Sequence, residues 1–307
     1  MEVRQLNTFC VLAEELNFTR TAERVHTVQS NVTSQIKSLE EELGSPLFDR
    51  LGKRVVLTEA GHRLRPYAEK ALAAMDQGHR AVKFGTEPAG PLYVGAPESV
   101  LTYRLPEVLK LFRKRYPKVD LIFRPDSDEK LADALESGKL DLAISMSDSV
   151  DGAHLSLIRM RTEDIYLFGT PDHPLANTKK VYPKDLIDQT LLLTEAGCGY
   201  RKKLDMQLAL ANVMPQHITE FSTIEAIKQC VNAGMGLGLL PEIVIASELR
   251  KRQFTLLNWQ GAKMSIATYI VWHKDKWMSP SMQALLDVLK AKLQRESPPM
   301  LVRDRAS

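Results

Sequence analysis

Cysteine is scarce in this 307-residue chain: Cys10, Cys198 and Cys230 are odd in number, far apart and contain no CxxC pair. They suit neither a disulfide framework nor a thiolate zinc site, and they fit a reducing compartment. Long apolar runs are missing as well, so no segment approaches the length of a membrane span. The N-terminus, MEVRQLNTFCVLAEELNFT, lacks the charged-then-apolar layout of a secretory signal, and the expected location is cytoplasmic. Nor is there an excess of one charge. The net charge is +3, and the first 57 residues nearly balance Arg4, Arg20, Arg24, Lys37, Arg50, Lys53 and Arg54 against Glu2, Glu14, Glu15, Glu23, Glu40, Glu41, Glu42 and Asp49. A generic basic coat for nucleic acid is excluded, and any DNA affinity must come from where the cations stand. No residue cluster calls for a metal or a cofactor. What remains, 44% apolar and 26% charged, is a globular composition long enough for two or three domains.

The most informative stretch is FTRTAERVHTVQSNVTSQIKSLEEELG, residues 18–44. It predicts two short helices joined by a tight turn. In the second, Val32, Ile36, Leu39 and Leu43 form an apolar stripe at intervals of three and four. The other face carries Gln29, Ser30, Asn31, Thr33, Ser34 and Lys37: amides, hydroxyls and one cation, with few bulky groups. Such a face suits a DNA major groove, although a merely solvated helix face would look similar. Ahead of it, Leu6, Phe9, Leu12, Ala13 and Leu16 give a first helix an apolar side. Asn17 is expected to end that helix and Thr19 to cap the next, with Ala22 and Val25 facing inward. After Gly44-Ser45-Pro46, LFDRLGKRVVLT reads as a hairpin with Lys53 and Arg54 near its tip. Beside a groove-shaped helix such a wing points to phosphate or minor-groove contact; alone it would be an ordinary charged hairpin.

Leu6 and Phe9, Phe18-Thr19, Ala22, Gln29, Gln35-Ile36, Leu39-Glu40, Leu43-Gly44, Pro46-Leu47-Phe48, Arg50 and Leu57-Thr58-Glu59-Ala60-Gly61 occur in an order that resembles the LysR-type transcriptional regulators. The resemblance covers the first domain without gaps, and length and later landmarks extend it over nearly the whole chain. It implies a winged helix-turn-helix that reads DNA with Gln29, Ser30, Thr33 and Ser34, and a wing at Lys53 and Arg54. Two departures stand out. Family members often carry Ser, Gln, Pro where this chain has Val28-Gln29-Ser30, so the usual capping serine is missing and Thr27 or Ser30 is expected to cap instead; Ser34 stands where the family often has arginine. The latter removes a bidentate guanine contact worth roughly 1 to 3 kcal/mol of discrimination.

From Thr58 to about Phe84 only Pro66 and Gly78 interrupt a helical pattern. At about 1.5 Å per residue that is a helix of about 40 Å. Leu64, Ala68, Ala71, Met75, Gly78 and Val82 form a heptad seam, read as a dimer contact in agreement with the family, or else as a seam packed on its own domain. A dimer would place two readers on the half-sites of an interrupted palindrome in double-stranded DNA.

Gly85 to Pro91 is linker by composition. Beyond it strand-like and helix-like runs alternate, which predicts an open, mostly parallel sheet with helices on both faces. Four strand-to-helix junctions stand out: Ala96 to Ser99, Ser145 to Ser147, Thr194 to Gly199, and Phe221 to Thr223, where Ser222 and Glu225 form a capping-box pattern. In the family the inducer lies between two periplasmic-binding-protein-like lobes at such junctions. The resemblance thus implies a small organic anion, a carboxylate, held by Ser99, Thr102, Ser147, Cys198, Gly199 and Thr223, with Arg201 as charge partner. Each hydroxyl could instead be a plain helix cap. Gly234-Met235-Gly236-Leu237-Gly238 follows a helix and precedes a strand, the reverse of a dinucleotide fingerprint, and is read as a helix end with tight packing.

The expected architecture is therefore α/β, in three parts. Residues 1–58 form a winged helix-turn-helix and residues 59–88 a linker and dimerisation helix. Residues 89–307 form a two-lobed effector domain, with lobe I at about 89–161 and 265–307 and lobe II at about 162–264. The expected function is non-enzymatic: a ligand-responsive, DNA-binding regulator assembling as a dimer of dimers, with RNA polymerase as a further partner. The alternatives are a redox sensor or an enzyme centred on Cys198, for which no resolving cysteine or base is evident, and a solute-binding protein, against which the N-terminal reader argues.

Overall fold

In the computed structural model, which describes residues 1–52, 54–126, 128–147 and 154–293, the chain divides into two units. One is Met1–Gly85 with Ala134–Lys139; the other is Thr86–Asp133 with the chain from Leu140 onward. The first contains α1 (Val3–Glu15), α2 (Phe18–Arg24), α3 (Gln29–Leu43), the hairpin strands β1 (Phe48–Leu51) and β2 (Arg54–Leu57), and α4 (Glu59–Phe84). Its core joins Leu6, Phe9, Leu12, Ala13, Phe18, Ala22, Val32, Ile36 and Leu39. Leu16 and Leu43, expected in the apolar stripes, are exposed instead. The stripes end one turn early because both helices end there: Leu16 takes a left-handed conformation that closes α1, and Gly44 does the same for α3.

The caps also differ from expectation. Asn17, not Thr19, caps α2, its side chain accepting the N–H groups of Thr19 at 2.9 Å and Arg20 at 3.1 Å. Asn17 was free to do so because Leu16 had already made the turn. At α3 neither Thr27 nor Ser30 caps; Val28 holds the position with no side-chain bond, and Thr27 Oγ1 accepts from Asn31 Nδ2 at 2.8 Å.

Several landmarks of the family pattern have a local physical role. Glu40 Oε1 accepts the backbone N–H of Leu47 at 2.7 Å and of Phe48 at 3.2 Å, fastening the hairpin to α3. Thr58 caps α4 by accepting from Gly61 N–H at 3.0 Å and donates to the Pro46 carbonyl at 2.7 Å. A Cβ on Gly61 would lie 2.3 Å from the Leu47 carbonyl oxygen, so only glycine allows this approach. In α4, Leu64 and Leu72 pack on the core and Ala68 is buried in it. The first part of the predicted seam is thus used within its own domain. Met75 and Val82 are exposed farther along, as are Ala71 and Gly78.

The second unit continues with β3 (Gly90–Ala96), α5 (Glu98–Tyr103), α6 (Leu105–Arg115), β4 (Val119–Pro125), α7 (Asp128–Glu136), β5 (Leu142–Ser147) and β6 (Leu155–Gly169). There follow β7 (Thr190–Thr194), α8 (Gly199–Leu210), β8 (His217–Phe221), α9 (Ile224–Asn232), β9 (Leu237–Pro241), α10 (Glu242–Arg250), β10 (Thr255–Leu256), β11 (Ser265–His273) and α11 (Pro280–Leu293). The sheet order is β4-β3-β5-β11-β6-β9-β7-β8, with β10 on β6. Parallel trios stand at either side, β4-β3-β5 and β9-β7-β8. Between them β6 and β11 run antiparallel, and β6 passes from its partner β11 at Asp164 to β9 at Ile165. The sequence did not reveal β6 as a strand, because Arg159, Arg161 and Glu163 interrupt its apolar alternation. Glu163 is nevertheless buried, held by Arg104 and by Arg161 at 2.8 Å. Gly234 takes a positive φ after α9, and a Cβ on Gly236 would lie 2.3 Å from the Thr190 carbonyl oxygen, in keeping with a helix end and tight packing. Among the described residues no helix is long and apolar enough to cross a membrane.

The Gly61 contact yields a direct test. Gly61→Ala should lower the stability of the N-terminal unit by about 1 to 3 kcal/mol, the usual cost of overpacking. Urea unfolding followed by circular dichroism measures it, and an unchanged midpoint would contradict the contact.

Candidate functional site

Burying Val32, Ile36 and Leu39 leaves the opposite face of α3 in solvent: Gln29, Ser30, Asn31, Ser34 and Lys37 are exposed and Thr33 is half-buried. Several of these groups have partners within the protein. Gln29 Oε1 accepts from Thr19 Oγ1 at 3.3 Å, Thr33 Oγ1 donates to the Gln29 carbonyl at 3.0 Å, and Asn31 is held by Thr27. Lys37 lies 3.5 Å from Glu41, a pair so exposed that it holds the ammonium only weakly. Ser30 and Ser34 present their hydroxyls outward. On the hairpin, Arg54 is exposed at the start of β2; Lys53 lies outside the described residues. Arg24 is held by Glu14 at 2.8 Å and Glu15 at 2.9 Å, which answer its charge. Sequence reading missed Arg20, exposed in the first turn of α2 with no ion pair among the described residues. Placing the cap at Asn17 would have revealed it, because that sets the phase of the helix.

In the second unit five segments converge on a cleft of about 420 Å³. Pro97, Glu98 and Ser99 come from the start of α5, Pro125, Asp126 and Lys130 from β4 and α7, and Met146 from the end of β5. Thr194, Glu195 and Cys198 to Tyr200 precede and open α8, and Phe221 to Ile224 precede and open α9. One close approach sets this geometry: a Cβ on Gly199 would lie 2.5 Å from the Met146 carbonyl oxygen and 2.9 Å from Ile266 Cδ1. The start of α8 therefore sits directly against the end of β5.

Of the predicted contacts, Ser99, Cys198, Gly199 and Thr223 line the cleft. Thr102, Ser147 and Arg201 do not. Thr102 is exposed one turn beyond Ser99, and Ser147 lies opposite Ala267 at the very end of the β5 ladder. Arg201 is buried and engaged within the protein, donating to the Thr194 carbonyl and to Glu220 Oε1, each at 2.6 Å, with Asp205 at 3.4 Å. A cation so engaged is unavailable to a ligand. The Ser222–Glu225 capping box is not formed; Thr223 caps α9 by accepting from Ala226 N–H at 3.4 Å. Glu98, which the sequence reading passed over, accepts the Ile224 N–H at 3.1 Å and so occupies the start of α9.

The start of α8 has no side-chain oxygen cap, because Cys198 stands at that position. Thr194 Oγ1 beside it is buried and makes no hydrogen bond of ordinary geometry, with the Cys198 thiol and the Tyr200 hydroxyl adjoining it. Burial pushes the Cys198 thiol above its usual value of 9.0, outweighing the donors around it, and raises Tyr200 as well. Burial likewise takes Cys10 up to about 12.

This arrangement, a groove-shaped helix with a wing followed by a cleft at helix starts, is matched by known families. Residues 3–62 match the bacterial regulatory helix-turn-helix proteins of the lysR family, and residues 85–294 match the LysR substrate binding domain. The chain belongs to the LysR family. It is a LysR-type transcriptional regulator with a DNA-binding domain and an effector-binding domain. A relative in Bacillus subtilis strain 168, the uncharacterized HTH-type transcriptional regulator YwqM, is 44% identical over 94% of this chain and 99% of its own length. GltR of the same organism is 29% identical over 97% and 99%. Full-length OxyR from Pseudomonas aeruginosa, a cysteine-to-aspartate variant, superposes with a TM-score of 0.71 at 25% identity, covering 97% of this chain and 99% of that one. CbnR in complex with its target DNA gives 0.65 at 21% identity over 95% and 100% and shares the fold. The sequence relatives are named as regulators, not as enzymes.

The thiol environment in this LysR-type chain predicts its reactivity. Because its pKa is raised, Cys198 is a neutral thiol at pH 7.5, so iodoacetamide should alkylate it several-fold more slowly than free cysteine, with the rate climbing only above pH 9. Mass spectrometry of timed, quenched samples checks this; alkylation as fast as free cysteine would contradict the burial.

Proposed function

We propose that a small organic acid binds in the cleft of the effector domain and modulates operator reading by α3 and the wing, with the ligand carboxylate at the start of α8. The observation that carries this reading is an α8 N-terminus capped by no side-chain oxygen, only by the Cys198 thiol, with the buried Thr194 hydroxyl beside it making no hydrogen bond of ordinary geometry, inside a cleft of about 420 Å³. Helix N-termini with unpaired N–H groups favour anions, and the cleft is of small-molecule size. Ser99, Cys198, Gly199 and Thr223 are the predicted contacts that line it. Arg201, by its engagement with Glu220, acts on α8 and not on the ligand.

On the DNA side, Gln29, Ser30, Asn31, Thr33, Ser34 and Lys37 face the bases and Arg54 the backbone. The exposed part of α4, with Tyr67, Ala71, Met75, Gly78 and Val82, supplies a dimer seam, and two dimers together span an interrupted palindrome. Such a regulator works in the cytoplasm, where the DNA and RNA polymerase are. The redox alternative is weakened by the raised thiol pKa at Cys198, since the thiolate is the reactive form.

Binding-site selection on randomised duplexes tests the reading face. Ser34→Arg should create a guanine preference at one position per half-site, worth about 1 to 3 kcal/mol. Identical selected motifs for the wild type and the variant would show that Ser34 does not face the bases.

A further inference from the structure

We propose that the ligand of this cleft is a zwitterion, an α-amino acid or a small acid carrying an amine, and not a purely anionic acid. This rests on the organic-acid reading above and narrows it.

Among the described residues the lining carries three carboxylates, Glu98, Asp126 and Glu195, against one cation, Lys130. Their charges are not equally answered. Lys130 lies 3.2 Å from Asp126, so that its one positive charge offsets one of the three carboxylates across an exposed pair. Glu98 sits on the Ile224 N–H, which answers its charge and puts a carboxylate at the start of α9, and Thr223 accepts the Ala226 N–H of that helix. Glu195 is exposed at the cleft and has no ion-pair partner among the described residues. The one cationic side chain that the sequence offered for a ligand, Arg201, does not line the cleft and is held by Glu220. A purely anionic ligand would therefore enter a field of its own sign, and like charges a few ångströms apart repel strongly where water is partly excluded.

One place in the cleft still seeks negative charge: the α8 start, where no side-chain oxygen caps the helix. Beside it Thr194, 8% exposed, has a buried hydroxyl that makes no hydrogen bond of ordinary geometry and adjoins the Cys198 thiol and the Tyr200 hydroxyl. A carboxylate placed there gains the helix N–H groups and this hydroxyl. Glu195 lies just before that helix and lines the same cleft, within reach of a second, positively charged group on the same small molecule. The cleft thus offers an anion-seeking end and a cation-seeking edge side by side. That pairing matches an ammonium and a carboxylate on one short skeleton, and the ion-paired hydrogen bonds it allows are the strong kind.

The test uses the full chain and thermal melting at equal millimolar concentrations of three sets: the common L-α-amino acids, the same acids with hydrogen in place of the amine, and the amines lacking the carboxylate. A native-state ligand raises the melting temperature. At least one amino acid should do so while its desamino and decarboxylated counterparts do not, and Glu195→Gln should weaken its binding about tenfold in calorimetric titration. A desamino acid that shifts melting as much as its amino acid overturns the zwitterion and leaves the organic-acid reading standing. An amine that does so without its carboxylate, or no shift from any of the three sets, overturns both. Undiminished binding by Glu195→Gln overturns the placement of the ammonium.

Discussion

The effector half of the molecule is built around one close approach. Helix α8 begins where a Cβ on Gly199 would meet the Met146 carbonyl oxygen at 2.5 Å, so the junction after β7 can lie against the end of β5 only if residue 199 has no side chain. The rest of the cleft follows from that contact. It brings Thr194, Glu195 and Cys198 to face the start of α5, and it sets Glu98 within 3.1 Å of the Ile224 N–H at the start of α9. Helix N-termini from different parts of the sheet then share one small space. Each has its own answer to the problem of unpaired N–H groups: a carboxylate from α5 and a threonine for α9, and nothing but a thiol for α8. The difference between α8 and α9 gives the cleft its direction.

A parallel constraint governs the DNA-binding half. Burying Val32, Ile36 and Leu39 fixes the rotation of α3 and leaves its amide and hydroxyl face to solvent. The hairpin is tied to that helix through Glu40 and to α4 through Thr58 and the Gly61 contact. Recognition helix and wing are therefore positioned by backbone hydrogen bonds from side chains, not by packing alone. The near balance of charge fits this design. Arg24 and Lys37 have carboxylate partners at the surface, and affinity for DNA must come from a few placed groups.

How much of this could be read from the sequence depended on whether a residue's role was local. Phe18, Ala22, Ile36, Glu40, Thr58 and Gly61 act on neighbours within the domain at short spacing, and the family pattern they form gave the fold and the class of function. The strand-to-helix junctions were legible for the same reason. Caps were less so: Asn17 and Thr19 have equal chemical capacity, and only the left-handed turn at Leu16 decides between them. The role of Arg201 was out of reach, because its direction is set by Glu220 on β8, a partner that no local spacing announces. Strand β6 was hidden for a related reason. Its buried Glu163 looks like a surface residue until Arg104, far away in sequence, is brought beside it. Glu98 was overlooked because its partner is a backbone N–H in another part of the chain.

The account joins a ligand cleft to a DNA reader, and such coupling is reciprocal in free energy. Its most direct test is to measure operator affinity by fluorescence anisotropy with and without a saturating cleft ligand, and ligand affinity with and without saturating operator. The account predicts that both affinities change, and by the same factor, on the order of fivefold or more. A ligand that binds the cleft and leaves operator affinity unchanged would contradict it.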